Sequence, residues 1–295
     1  MKKGLILVNA YADLKAASSQ ARRLKEELEK RGVETDILRN GQLSLAVERS
    51  GQIRLAEHPY AFCIYLDKDK YASALLEKMG LRLFNPHDGI QVCDDKMETC
   101  IRLSGQGIPM PKTIPAPLCY YPGSTPWEEF LLDVEKQLGL PLVVKESYGS
   151  LGGQVYLVRD HRELVDIDIR LQGKHHLYQE FIAESAGCDI RVIVAGGKAV
   201  GAMKRVSDTD FRSNIELGGH GEVIDLPVEV AALCEKTAAV LKLDYCGVDV
   251  LFGKDGYLIC EVNSNAFFEG IEAVTGLNIA GAYADHILRT VGIEN

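Results

Sequence analysis

At 295 residues, 46% hydrophobic and 25% charged, the chain can build two or three packed subdomains and does not have the composition of a disordered segment. Its formal net charge of −9 argues against general nucleic-acid binding, because a phosphate backbone selects for excess Lys and Arg. No apolar run approaches the about 18 residues that a membrane span needs. The cysteines at 63, 93, 100, 119, 188, 234, 246 and 260 contain no pair at the spacing of a zinc or redox motif. They read as reduced, mostly buried thiols of a cytoplasmic protein.

The first ninety residues alternate strand and helix signals. Gly4-Leu5-Ile6-Leu7-Val8 reads as a buried strand. Asn9-Ala10-Tyr11-Ala12-Asp13 then interrupts the apolar run too early for a secretory signal, and it lacks the glycine fingerprint of a dinucleotide oxidoreductase. A helix is expected over 18–31, with Ala21, Leu24 and Leu28 on one face and Gly32 as its stop. Strands follow at 35–38, 62–66 and 82–84, with a helix over 71–79 ending at Gly80. This alternation predicts βαβ units and a mostly parallel sheet.

From Asp94 the texture changes. Asp94-Asp95-Lys96-Met97 opens a helix that stops near Gly105, and the proline-rich 109–126 reads as an extended connector or edge strand. A helix over 127–138 leads to the strand Leu142-Val143-Val144-Lys145, the loop Tyr148-Gly149-Ser150-Leu151-Gly152-Gly153 and a second strand at 154–158. Two strands joined in this way form an antiparallel ribbon. Further hairpins flank Gly196-Gly197, a tight-turn signal, and Gly253-Lys254-Asp255-Gly256. Helices are expected over 228–241 and 280–290.

Asp249, Glu261 and Asn263 are the sharpest constellation. A three-residue loop would pair Gly253 with Tyr257 and hence Asp249 with Glu261, and Asn263 returns to the same face two residues on. Two carboxylates and an amide oxygen converging on a small volume suit Mg2+; solvent-facing hairpin charges are the plainer alternative. Lys145, ending an apolar run, needs a partner, and a phosphate is one candidate. The glycine-bearing loop after it could lay backbone amides over phosphates, or be an ordinary hairpin. Across Gly196-Gly197, a regular ladder would set Asp189 opposite Lys204 and Arg191 opposite Ala202, so that Asp189, Arg191 and Lys204 share a face. That set reads equally as a structural ion-pair network. Phe211-Arg212-Ser213-Asn214 followed by Gly218-Gly219 has the composition of a ligand-contacting loop.

The order of these pieces resembles the RimK-type ATP-grasp ligases, including the α-L-glutamate ligases. The specific pieces are Gly187-Cys188-Asp189-Ile190-Arg191, Phe211-Arg212-Ser213-Asn214, Gly247-Val248-Asp249 and Glu261-Val262-Asn263, then Glu269-Gly270-Ile271-Glu272, Thr275-Gly276 and Ile279-Ala280-Gly281. The likeness runs from Asp95 to about Ala284. It implies an α/β chain, α+β in the ATP-grasp part: a pre-ATP-grasp parallel βαβ domain at 1–93, a small lid subdomain at 94–182 and a metal-binding subdomain at 183–295.

The resemblance further implies that Lys96 and Lys145 contact ATP phosphates. Glu180 and Phe181 form the hinge at the adenine, and Asp189 holds the ribose or orders neighbouring cations. Arg212 and Asn214 sit near the γ-phosphate, and Arg205 near the transferring phosphate. Asp249, Glu261 and Asn263 bind two Mg2+ ions, Mn2+ being the alternative, with Glu261 bridging. The implied activity joins a carboxylate to an amine through an acyl-phosphate, releasing ADP and phosphate. A catalytically silent nucleotide-binding or scaffold protein on the same fold is the competing reading. Small-molecule or peptide substrates are the implied partners, with no nucleic acid or membrane; a homo-oligomer is left open.

Two departures bear on substrate. Leu217 stands where the glutamate ligases usually carry a cation, with Glu216 adding an anion. Ser264-Asn265-Ala266-Phe267-Phe268 replaces a small-Pro-Gly turn. A lost cation and two added aromatics point to a less acidic acceptor or donor than glutamate.

Overall fold

The computed structural model describes residues 3–11, 16–150 and 152–293. Ala12, Asp13 and Leu151, named above, lie outside them. The parallel N-terminal sheet is built from β1 (Lys3–Val8), β2 (Thr35–Arg39), β5 (Tyr60–Leu66) and β6 (Arg82–Phe84), in the order β2-β1-β5-β6. Its strands are continuous apolar runs because helices cover both faces. From α1 (Ala16–Lys30), Ala21, Leu24 and Leu28 pack with Ile6, Val8, Phe62 and Ile64. On the other face, α2 (Lys70–Lys78) and α3 (His87–Asp94) pack with Leu5, Leu7, Cys63 and Tyr65. The sequence reading missed α3 as well as the short hairpin β3 (Ala46–Val47) and β4 (Ile53–Arg54). α3 runs directly into α4 (Lys96–Leu103), where Asp95 caps the first turn by accepting from the N–H groups of Met97 and Glu98.

The middle sheet is antiparallel, ordered β7-β10-β8-β9, from β7 (Thr113–Pro115), β8 (Leu142–Glu146), β9 (Val155–Val158) and β10 (His176–Glu180). The proline-bearing β7 sits at an edge, where a missing N–H costs no ladder bond. α5 (Glu128–Leu138) and α6 (His161–Leu171) cover one face through Leu131, Val134, Leu164 and Ile167, packed on Val144, Val158 and Tyr178. By the period of two, Val143, Lys145, Leu177 and Gln179 belong to the opposite face.

The C-terminal sheet is ordered β13-β12-β11-β14-β15, from β11 (Cys188–Ala195), β12 (Lys198–Val206), β13 (His220–Glu222), β14 (Tyr245–Gly253) and β15 (Gly256–Asn263), all antiparallel. One face packs Ile190, Val192, Val248 and Val250 against α7 (Val228–Val240) and Leu103 of α4. At one end of the other face Ile193, Met203 and Tyr245 meet Ile271 of α8 (Glu269–Thr275), Tyr283 and Ile287 of α9 (Ile279–Val291), and the α1 side of the parallel sheet. The first and last sheets therefore share one apolar core. Its centre is Phe268, fully buried and edge-on to Tyr245. Phe268 is thus a packing residue, which corrects the expectation that it shapes substrate choice.

Among the described residues no helix is long and apolar enough to cross a membrane, and all eight cysteines are free. Phe268→Ala would open a cavity in the shared core; the expected cost is about 3–5 kcal/mol, measured by denaturant unfolding.

Candidate functional site

Two β-bulges set the site. At Gly196-Gly197 the chain makes the expected two-residue turn, pairing Ala195 with Lys198. Val200 is then an extra residue: Val194 pairs with Ala199 but Ile193 with Gly201. Everything beyond is shifted by one. Asp189 faces Arg205, not Lys204, and Arg191 faces Met203, not Ala202, which overturns the regular register. Lys204 moves to the opposite face, where it pairs with Glu222 of β13.

In the second hairpin Gly253 pairs with Gly256, a two-residue turn where a three-residue loop was expected. Cys260 is the extra residue here, with Val250 opposite Ile259 and Asp249 opposite Glu261. Bulge and shorter turn offset each other, so the expected Asp249–Glu261 pairing holds by a different route. Asn263 pairs with Gly247, two residues along on the same face.

The result is one charged face on the C-terminal sheet. Asp189 accepts from Arg205 at both oxygens, at 2.8 and 2.5 Å. Arg205 also reaches Asp249 Oδ2 at 3.0 Å. Asp249 accepts from Arg191 through Nε and, at 2.8 Å, through Nη2. Asp189, Arg205 and Asp249 are all buried. Burial alone would raise the Asp249 carboxyl, but Arg191 and Arg205 reverse this and hold it below its ordinary value. Gly247 is small for a reason visible here: a Cβ on it would meet Ala266 Cβ at 2.5 Å and Arg191 Cδ at 3.3 Å, so the arginine stem lies across it.

The middle sheet and α4 bring cations to the same place. Lys145 is buried, with its Nζ 3.5 Å from Cys260 Sγ. Burial opposes its charge, yet it titrates above its usual range because Cys260 and Glu261 face it. Lys96, the first residue of α4, donates to the Gly149 carbonyl at 3.0 Å and lies 3.5 Å from Glu261 Oε1. The loop after β8 folds over residues 212–217. Arg212 donates to the Gly152 carbonyl at 2.5 Å and is paired with Asp210 at 2.7 Å. At Gly152, with φ +73°, a Cβ would meet Leu217 Cδ1 at 2.9 Å and Asn214 Oδ1 at 3.0 Å. Leu217 therefore packs on the glycine loop, which is a packing account of the missing cation at that position.

Where β10 leads toward β11, Glu180 Oε1 accepts from the Lys112 N–H at 2.6 Å, and Phe181 stands edge-on to Phe211 at 6.3 Å between centroids. A cavity of about 620 Å³ lies at the free edge of β9, against α6 and residues 209–212. Its wall includes the Arg212–Asp210 pair but not Asp189, Asp249, Glu261, Lys96 or Lys145, so it is separate from this charged face.

Asp249, Glu261 and Asn263 form an all-oxygen donor set of the kind Mg2+ takes, and their shared face fits that ion. Among the described residues no three His, Cys, Asp or Glu side chains converge on a ready-made metal site. Mg2+ needs none, since it is commonly held by one or two carboxylates together with substrate phosphates. From the sequence Arg191 is expected on one face with Asp189 and Lys204, readable as an ion-pair network; its partner is instead Asp249, set opposite it once β11 lies beside β14.

The depressed Asp249 carboxyl contributes its ion-pair stability in full above the ordinary carboxylate range near about pH 4 and loses it as pH falls through the lower native value. Asp249→Asn is therefore expected to cost about 3–5 kcal/mol near neutrality. In thermal melts from neutral pH down to about pH 2, the gap between the two proteins should close below about pH 4.

Comparison with known proteins places the chain. The RimK-like ATP-grasp domain model matches residues 93–287. Beta-citrylglutamate synthase B of Danio rerio is 34% identical over 259 residues, covering 84% of this chain and 62% of that protein. N-acetylaspartylglutamate synthase A of Homo sapiens is 36% identical, covering 75% of this chain and 56% of that one. A protein of Halorhodospira halophila named "Probable alpha-L-glutamate ligase" is 37% identical, with 74% and 72% covered. This chain thus spans less than two thirds of the first two relatives. A RimK domain ATP-grasp protein of Sphaerobacter thermophilus superposes with TM-score 0.72 at 23% identity, covering 96% and 98% of the two chains. D-alanine–D-alanine ligase of Bacillus anthracis superposes with TM-score 0.72 at 19% identity, covering 99% and 97%. At those identities the superpositions establish a common ATP-grasp fold, and with the match over 93–287 the chain belongs to the RimK-like ATP-grasp family.

Proposed function

We propose that the protein is a cytoplasmic, ATP-dependent carboxylate–amine ligase. One observation carries the reading: Asp249 and Glu261 sit opposite each other on the C-terminal sheet, while Lys96 and Lys145 reach the same face from α4 and the middle sheet. Cations from one layer facing carboxylates from another make a cleft suited to a metal-bound polyphosphate. The family match and the relatives named as synthases and ligases support the same conclusion.

In this reading the chain divides at 93 and 182 into a pre-ATP-grasp domain, a lid and a metal-binding subdomain. A substrate carboxylate oxygen attacks the γ-phosphorus, the bridging P–O bond to ADP breaks, and an acyl-phosphate forms. The amine nitrogen then attacks the acyl carbon, the C–O bond to phosphate breaks, and an amide, phosphate and a proton result. Lys96 and Lys145 hold the phosphates, and the glycine loop covers them. Asp189 orients Arg205 through its two-pronged ion pair, so that the guanidinium lies beside the transferring group. Arg212 and Asn214 approach the γ-phosphate from the loop on the other side, and Glu180 and Phe181 border the adenine. Asp249, Glu261 and Asn263 would hold Mg2+, whose chemistry there would be to neutralise charge developing on the phosphate oxygens.

Glutamate is the first amine to test, because the relatives' names share it. Leu217 packs on the glycine loop and Phe268 in the core, which leaves the exposed Glu216 and Phe267 as the departures that bear on substrate. Phosphate release from ATP and Mg2+ with paired carboxylates and amino acids should single out one pair. With that pair Glu261→Gln should lower kcat by on the order of 100-fold; undiminished turnover would sink the assignment. Nucleotide binding without phosphate release across all pairs would favour the silent reading.

A further inference from the structure

Each carboxylate on this face already has a cation beside it: Arg205 at Asp189, Arg191 at Asp249 and Lys96 at Glu261. Asp189, Asp249 and Glu261 supply three carboxylates, while Lys96, Lys145, Arg191 and Arg205 supply four cations. Around them Arg212 is paired with Asp210 and Lys68 with Asp94, and Asp95, next to Lys96, adds a fourth carboxylate that caps α4. The carboxylate best buried for metal binding is also the one most fully engaged. Asp249 Oδ2 accepts from Arg191 Nη2 at 2.8 Å and lies 3.0 Å from Arg205 Nη2, and Oδ1 accepts from Arg191 Nε.

A bare divalent cation arriving here would meet carboxylates already neutralised by their paired cations. Resting on the metal-site reading above, we infer that Arg191 is a positioning residue. It latches Asp249 in the nucleotide-free protein, so that a divalent cation is taken up only together with a triphosphate. The triphosphate changes the balance in two ways. It brings negative charge that the lysines and arginines can turn to, and it supplies the non-protein oxygens that Mg2+ normally requires.

The latch is built into the fold. Arg191 stands directly opposite Asp249 across β11 and β14, its stem runs over Gly247, and Asp249 is its one ion-pair partner among the described residues. Arg205 is different, because Asp189 holds it in place whether or not Asp249 is released. Arg191 is accordingly the side chain whose removal should unmask Asp249 while leaving the Asp189–Arg205 pair intact.

The test is Mn2+ binding followed by the electron paramagnetic resonance signal of the free ion, without nucleotide and with a non-hydrolysable ATP analogue. For the wild type, Mn2+ affinity should be at least about tenfold weaker without the analogue than with it. Arg191→Met should tighten nucleotide-free binding by about tenfold, and Asp249→Asn in the same chain should abolish that gain. The latch is refuted if wild type binds Mn2+ equally well with and without the analogue, a result that needs no variant to fold. It is also refuted if a folded Arg191→Met protein binds the bare ion no better than wild type. Failure of wild type to bind Mn2+ even with the analogue would instead overturn the metal-site reading, and the latch with it.

Discussion

The chain of ion pairs from Asp189 through Arg205 and Asp249 to Arg191 is the constraint around which the rest of the site is arranged. Four charges in a mostly buried sheet face are tolerable only because each is matched at hydrogen-bonding distance. That matching requires Asp189 opposite Arg205 and Arg191 opposite Asp249, so it dictates the register of three strands at once. A slip of one residue on any of them would turn a carboxylate, or Arg205 in the case of β12, into the apolar face packed by α7.

The surrounding architecture supplies what this face lacks. Its far end is apolar and belongs to the core shared by the first and last sheets, with Phe268 and Tyr245 at the junction. Asn85 ties the same junction by donating to the carbonyls of Tyr245 and Ser264 and accepting from the N–H groups of Asp244 and Tyr245. Asn85 thereby links the segment leaving β15 to the start of β14. The middle sheet contributes a buried lysine and a glycine-bearing loop that lies against residues 212–217. Cations from α4 and the middle sheet thereby meet the carboxylate-bearing face of the C-terminal sheet.

Bulges do the fine placement. The extra Val200 sends Lys204 away and brings Arg205 to the carboxylates. The extra Cys260 keeps Glu261 beside Asp249 and puts a thiol against Lys145. Each is a single inserted residue, and each decides which side chain reaches the cleft.

Much was legible in the residues alone. Continuous apolar runs separated by amphipathic helices specified the parallel sheet, because helices covering both faces leave no polar side to the strands. Gly196-Gly197 specified a two-residue turn, because both positions need positive φ. The spaced motifs specified the family, and Asp249 with Glu261 stood out as a pair. What the sequence could not supply was register beyond a bulge, since one extra residue leaves no mark in a hydrophobic pattern; hence Lys204 was set where Arg205 belongs. Nor could it supply the adjacency of β11 and β14, whose pairing crosses about fifty residues and depends on burying one face of each strand. Local pattern determined the elements, and only the packed sheet decided which charges meet, because charge pairing depends on distances of a few ångströms that no spacing along the chain encodes.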